Sequence, residues 1–406
     1  MLRILLIVLF SAGLFIPGFS AEIDKKQAKT AAINFLSDIS DSFSALSLRE
    51  KDHYAENGEI LCYVFGFPNG FIVVSGSRAY YPVIAWSNES EYIRDTQPES
   101  FKFWMKGIVE RIRISGKKSS GFANACENEW NEILNSKREK HMKATVSPML
   151  HTTWNQGLYY NSLLPVDSSF GSNHPYTGCV ATAIAQILKY WYFPKKGTGS
   201  NGIYSSYGWL EADFENTYYQ WTTMENNLFE ENPAVAELMY QCVIAVDSQI
   251  SPNGTGAYDY DAKEALTDYF GYNDSTRFIY RHDYPAQWRE LIMSELDAGR
   301  PVIYGGIDES QSVGHTFICD GYQDEFLHIN WGWGSQHNGF YYIDTLTPGN
   351  YHFDMYHDAI TGICPEIDGV IELFGPENLT VETEQRDVTL AWDTSSFVST
   401  LERLGY

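Results

Sequence analysis

Apolar positions recur at helical spacing in Gln27-Ala28-Lys29-Thr30-Ala31-Ala32-Ile33-Asn34-Phe35-Leu36, which predicts an amphipathic helix early in the chain. Two short apolar runs follow, Ile60–Phe65 and Gly70–Gly76. Asn69-Gly70 between them is a turn signal, so the runs predict paired strands. Residues 99–136 return to a largely helical pattern. A further helix is predicted from Cys179 to Trp191, entered through the small residues Thr177-Gly178. Ser312–Tyr322 alternates as a strand, with His315, Phe317 and Cys319 on one face and Thr316, Ile318 and Asp320 on the other. Phe326–Asn330 reads as a second strand, joined to the first through Gln323 and Asp324 as a hairpin and closed by the turn Trp331-Gly332-Trp333-Gly334. Beyond Pro365, Pro376–Glu382 and Asp387–Asp393 alternate as two more strands.

Charge divides this series of elements. Residues 21–147 carry 17 Lys+Arg and 17 Asp+Glu, whereas residues 148–365 carry 8 and 26, a net of −18. The break predicts two separate segments. The acidic second one argues against a nucleic-acid partner, since phosphate binding needs a basic surface. Met1–Ser20 has one charge, Arg3, then an apolar stretch to Ile16, with Gly18 and Ser20 at the −3 and −1 positions of a cleavage site. This pattern predicts a signal peptide and a secreted product, with no membrane span. Six cysteines in 406 residues are too few for a disulfide scaffold. Cys242 and Cys319 follow buried patterns, and a bridge among Cys62, Cys126, Cys179 and Cys364 stays open.

The placement of Cys179 gives the chain its candidate chemistry. Unpaired N–H groups at a helix N-terminus favour an anion, so a thiol there is expected to have a depressed pKa. Such a cysteine is either a nucleophile or a buried core thiol, and a base downstream favours the first. His315 lies on a strand beside Gly314, which leaves room for a substrate backbone. The hairpin predicts that Asn330 returns toward His315, where its side chain would fix the imidazole tautomer. Cys, His and Asn in that chain order is the papain-type arrangement. His174, His328 and His337 lack a glycine-flanked strand position of this kind.

Thr177-Gly178-Cys179-Val180-Ala181-Thr182-Ala183, Gly314-His315-Thr316-Phe317 and Asn330-Trp331-Gly332-Trp333-Gly334 together resemble the streptopain family of secreted cysteine peptidases. Trp154-Asn155-Gln156-Gly157 and Gly254-Thr255-Gly256-Ala257 extend the resemblance. It implies Cys179 as nucleophile, His315 as general acid/base and Asn330 as its orienting group. Gln156 would join the Cys179 N–H in an oxyanion hole. Gly256, Ala257, Gly314 and Trp331 would line the substrate cleft, with Trp331 shielding the Cys179–His315 pair from water. One departure stands out: the family pattern has a glutamine two residues after the tyrosine of the strand before the histidine loop, and this chain reads Tyr304-Gly305-Gly306.

The expected fold class is α+β. A papain-like catalytic domain would span 148–365, preceded by a signal peptide (1–20) and an α+β propeptide (21–147). Residues 366–406 would begin a fibronectin-III- or immunoglobulin-like β module, too short to complete one. The charged stretch Lys137–Lys143 would be the cleavable link. The resulting expectation is a secreted cysteine endopeptidase, made as a zymogen, with protein or peptide substrates and its own propeptide as intramolecular inhibitor. Neither metal nor cofactor is called for. The alternatives are a non-catalytic adhesin or inhibitor on the same scaffold, and an acyltransferase in which an amine resolves the thioester.

Overall fold

The computed structural model describes residues 22–40, 43–115, 120–135, 145–171, 173–252, 254–308, 313–342, 357–366, 377–384 and 387–393. The signal-peptide and Lys137–Lys143 expectations therefore lie outside the described residues.

The N-terminal segment runs α1 (Lys25–Ile39), β1 (Arg49–Glu56), β2 (Glu59–Phe67), β3 (Gly70–Ser75), β4 (Val83–Ser87), α2 (Glu99–Ser115) and α3 (Ser120–Leu134). Helix α1 starts where it does because of a reciprocal cap. Asp24 Oδ1 accepts from Gln27 N at 2.8 Å, and Gln27 Oε1 accepts from Asp24 N at 3.1 Å. Its apolar stripe Ala28, Ala31, Ala32, Phe35 and Leu36 is buried. Asn69, at φ 60, makes the predicted turn between β2 and β3. The long helical pattern of 99–136 resolves into two helices, α2 and α3.

The second segment runs β5 (Thr145–Val146), α4 (Cys179–Trp191), β6 (Ser200–Ser205), β7 (Gly208–Asp213), α5 (Pro233–Ala245), β8 (Gln249–Ser251), β9 (Gly254–Gly256), α6 (Asp259–Asp268), β10 (Arg277–Tyr280) and α7 (Trp288–Asp297). It continues with β11 (Val302–Asp308), β12 (Val313–Gln323), β13 (Phe326–Asn330), β14 (Gly339–Tyr342) and β15 (Asp358–Thr361). The last two strands, β16 (Glu377–Glu384) and β17 (Asp387–Asp393), pair antiparallel with each other, as their alternation predicts.

The two charge segments do not form two separate sheets. One sheet runs β1-β2-β3-β4-β14-β13-β12-β11-β15-β10, with β5 added beside β12. The seam is the β4–β14 pairing, Trp86 opposite Phe340 and Ala85 opposite Tyr341, with the Trp86 and Phe340 rings stacked at 4.4 Å. Charge pattern could not reveal this junction, because both edges are apolar.

Side chains alternate across the central strands, so each strand feeds two cores. Ile303, Ile318 and Ile360 pack with α4 and α5, among Ile184, Leu188, Leu238 and Val243. Tyr304, Cys319 and Ala359 point the other way and pack with Trp288 of α7. That second core also takes Phe71 of β3 and Phe101, Met105 and Ile108 of α2, so it is shared between the segments. All six cysteines are free, and Cys242 and Cys319 are buried as expected.

Candidate active site

Cys179 is the first residue of α4. Gly178 precedes it at φ 86 and ψ 157, a region essentially reserved for glycine and costing other residues about 1–3 kcal/mol, and a Cβ there would meet Thr255 at 3.2 Å. The Gly254–Ala257 segment thus abuts the entry to the helix. Gly256 is exposed and Ala257 half-buried beside it. Gln156 is drawn to the same end of α4 by the backbone: its carbonyl accepts from Thr177 N at 2.9 Å and from Thr177 Oγ1 at 3.3 Å. The amide-bearing segment and the thiol therefore form one unit.

The histidine lies elsewhere. In the β11–β12 register Gly305 faces Thr316 and Gly306 faces His315, while Gly314 sits exposed opposite Ile307. Thr316 shares the face of Ile318, toward α4, and His315 shares the face of Phe317, toward the shared core. His315 Nε2 bonds the Trp331 carbonyl at 3.0 Å, and its ring stacks on Trp333 at 4.3 Å. Trp331 lies parallel to Trp333 at 5.5 Å and is buried.

Asn330 does not orient this imidazole here. It pairs with Ile318 and takes the α4 face. Its Nδ2 donates to Thr152 O at 2.9 Å and to Gln186 Oε1 at 3.2 Å, and its Oδ1 accepts from Gly332 N at 3.1 Å. The hairpin returns Asn330 toward the site as expected, but strand alternation puts it and His315 on opposite faces.

The electrostatics follow the geometry. The Cys179 thiol is shifted up, not down. Burial is the main cause and the nearby Asp259 carboxyl adds to it, outweighing hydrogen bonds from Thr316 and from Val180 N–H. Burial pulls His315 down to about 4, with the Trp331 carbonyl opposing. A neutral thiol and a neutral imidazole on opposite faces are not a thiolate–imidazolium pair.

Three groups near the thiol were missed from the sequence. Thr316 Oγ1 donates to Asp259 Oδ1. Asp259 is bonded in turn to Asp358, and burial raises both carboxyls, so the pair retains a proton. A Cβ on Gly305 would meet Asp259 Oδ2 at 1.9 Å and Asp358 Oδ1 at 2.4 Å. These carboxyls account for Gly305, whereas a Cβ on Gly306, the position of the family's glutamine, would meet only the His357 ring at 3.8 Å, so nothing in the structure explains that departure. Gln186, also missed, binds Asn330 and accepts from Thr152 Oγ1 at 2.9 Å. Its signal was available, as an amide two turns after Cys179 on a mostly apolar helix, one of the few polar residues there with Thr182 and Lys189.

Among the described residues no cluster of three or more His, Cys, Asp or Glu could hold a metal, and no helix is long and apolar enough to cross a membrane.

Residues 154–341 match the Peptidase C10 family, and residues 20–112 match the Spi protease inhibitor family. The chain is 30% identical to streptopain of Streptococcus pyogenes over 383 residues, covering 84% of this chain and 92% of that protein. It is also 30% identical to the thiol protease/hemagglutinin PrtT of Porphyromonas gingivalis, over 81% of this chain but only 39% of that longer protein. Among solved structures, a prointerpain A fragment of Prevotella intermedia superposes with a TM-score of 0.63 at 32% identity, over 79% of this chain and all of that one. The chain belongs to the peptidase C10 family of cysteine peptidases, with a mixed α/β architecture joining an inhibitor-type propeptide domain to a peptidase domain.

Proposed function

We propose that this chain is the precursor of a secreted cysteine endopeptidase with a papain-like catalytic domain at 148–365. Residues 21–147 act as its inhibitory propeptide, and the β16–β17 hairpin begins a β-sandwich-like module within 366–406. Cys179 is the nucleophile and His315 its acid/base partner. Asn330 orients the imidazole in the active form, Trp331 shields the pair, and Gly256, Ala257 and Gly314 border the cleft. The observation that carries this reading is the Thr177–Gln156 bond, which unites the thiol end of α4 with an amide suited to an oxyanion hole.

In the reaction the Cys179 thiolate attacks the scissile carbonyl carbon. The oxyanion is held by the Cys179 N–H and the Gln156 amide. The C–N bond breaks as the His315 imidazolium protonates the leaving amine. Water then gives a proton to His315 and adds to the thioester, releasing the acid and restoring the thiolate.

The opposite-face arrangement of Cys179 and His315 supports latency in the precursor. Activation must turn the His315 end of β12 toward α4 and leave the propeptide side of the shared core. The test uses the precursor from Ala21, incubated with reductant and a denatured protein substrate. Cleavage should appear together with loss of the N-terminal segment, and neither should occur in Cys179→Ala. A precursor fully active without processing would overturn the latency reading. Activity retained in Cys179→Ala would overturn the catalytic one.

A further inference from the structure

The loop between Trp331 and β14 sends one side chain across the seam. His337, only 3% exposed, lies against the Phe101 ring at 4.0 Å and 15°. Phe71 and Tyr92 flank it at 6.0 and 6.2 Å in steep crossings. All three aromatics belong to the N-terminal segment. His337 Nδ1 has no hydrogen-bond partner. The backbone around it is held firmly: His337 N donates to Ser90 Oγ at 2.7 Å, and its carbonyl accepts from Trp331 Nε1 at 3.1 Å. Trp331 in turn accepts from His315 through its own carbonyl. A continuous chain of contacts therefore runs from the propeptide cage through His337 and Trp331 to the candidate base.

We propose that His337 is an acid-sensitive plug: protonating its ring drives it out of the propeptide's aromatic cage, loosens the N-terminal segment, and releases the loop that holds His315 away from Cys179. The proposal rests on reading residues 21–147 as the inhibitory segment.

The cage suits a neutral imidazole. An imidazolium has two N–H donors, and the Nδ1 site offers no acceptor. The faces of Phe101 and its neighbours would attract a cation, but that attraction is weaker than the cost of burying an unpaired charge. The charged groups on surrounding elements are already engaged. Tyr92 donates to Asp52 of β1 at 2.7 Å, Arg94 pairs with Asp52 at 2.7 Å, and Glu89, beside Ser90, pairs with His328 at 3.1 Å. From β3 and α2 the ring meets Phe71 and Phe101. Burial alone lowers His337, to about 4.

The sign follows from linkage. A histidine whose pKa is depressed on burial stabilises the closed form above its ordinary value of 6.5 and loses that contribution as pH falls toward 4. If the released ring regains its ordinary value, the release equilibrium rises on the order of 30-fold between pH 7.5 and pH 5. His315 and His357 are also shifted down by burial and add an acid response of their own, so the informative quantity is the change caused by substituting His337.

The experiment uses the full precursor carrying Cys179→Ala, so that no catalysis is needed for the readout. Hydrogen exchange of peptides covering 90–112 and 331–341 is followed from pH 7.5 to pH 5, with intrinsic rates divided out. Protection should fall steeply in this protein, and the fall should shrink by about that 30-fold factor when His337→Phe is added. His337→Asn, which tolerates the left-handed backbone at φ 63, is the second variant and should blunt the response in the same way. An acid response within twofold of the parent in both variants would overturn the plug. Because the protein is catalytically dead throughout, that failure would leave the peptidase reading untouched.

Discussion

The two halves of the candidate site are built by different parts of the chain. Cys179 sits over a core made within the peptidase domain, among α4, α5 and the inward faces of β11 and β12. His315 lies on the other face, against a core that β3 and α2 of the propeptide domain help to form. The thiol end is therefore complete without the propeptide, whereas the surroundings of the base are shared with it. On the proposed reading, the propeptide acts on the base and leaves the nucleophile in place.

The largest effect that would break this comparison is on catalysis itself. Once processed in trans by the active enzyme, since they should not process themselves, Cys179→Ala and His315→Ala should each cost on the order of 10⁶ in kcat, as for a nucleophile and base that act as a unit. Gln156→Ala should cost about 10²–10³, measured as kcat/KM on a peptide substrate. A His315→Ala protein of near-normal activity would move the base to another histidine.

Thiol chemistry sharpens the contrast between the two forms. In the precursor, burial and Asp259 hold the Cys179 thiol up, so iodoacetamide should label it slowly near pH 6, and His315→Ala should not change the rate. After processing, labelling should quicken at least about tenfold, equivalent to one pKa unit or more, and should then depend on His315. Site-mapped alkylation across pH gives both numbers. Equal dependence on His315 in the two forms would mean that the base already serves the thiol in the precursor.

A smaller effect tests the α4 side alone. Gln186→Leu strands the Asn330 and Thr152 groups that the amide now satisfies, and should lower stability by about 1–3 kcal/mol in a denaturant titration. That loss should persist after the propeptide is gone, because every partner lies in the peptidase domain.

The smallest expected effect lies at the seam. His328 bonds Asp320 at 2.6 Å and propeptide Glu89 at 3.1 Å. Burial alone would lower its pKa, but the two carboxylates more than offset this and lift it to about 9. Its stabilising contribution is therefore complete below 6.5 and is lost as pH rises through 9. Glu89→Gln should cost the precursor about 1 kcal/mol near neutrality, a modest figure because the carboxylate is 36% exposed and screened. Melting curves from pH 6 to 10 should show the difference between parent and variant narrowing at the alkaline end. A constant difference would mean that Glu89 acts without the His328 charge.

Much of this was legible in the residues. The Ala28–Leu36 stripe predicts α1, although its reciprocal cap at Asp24 was not read from the sequence, and Asn69-Gly70 fixes the β2–β3 turn, because turn conformations depend on a few adjacent residues. Gly178 before an apolar helix placed Cys179 at its first turn. The period of two along β12 set His315, Phe317 and Cys319 against Thr316 and Ile318, but a register shift between Cys319 and Gly321 interrupts it at Asp320. That alternation is local, since successive side chains must leave a pleated strand on opposite sides. Which side would meet α4 was not local. It was decided by the pairing of β11 with β12 and β15, by carboxyls from α6 and β15 filling the space over Gly305, and by an N-terminal segment that extends the same sheet through Trp86 and Phe340. A strand's sequence determines its two faces. Only packing between residues hundreds of positions apart determines which face meets Cys179 and which is buried against the propeptide domain.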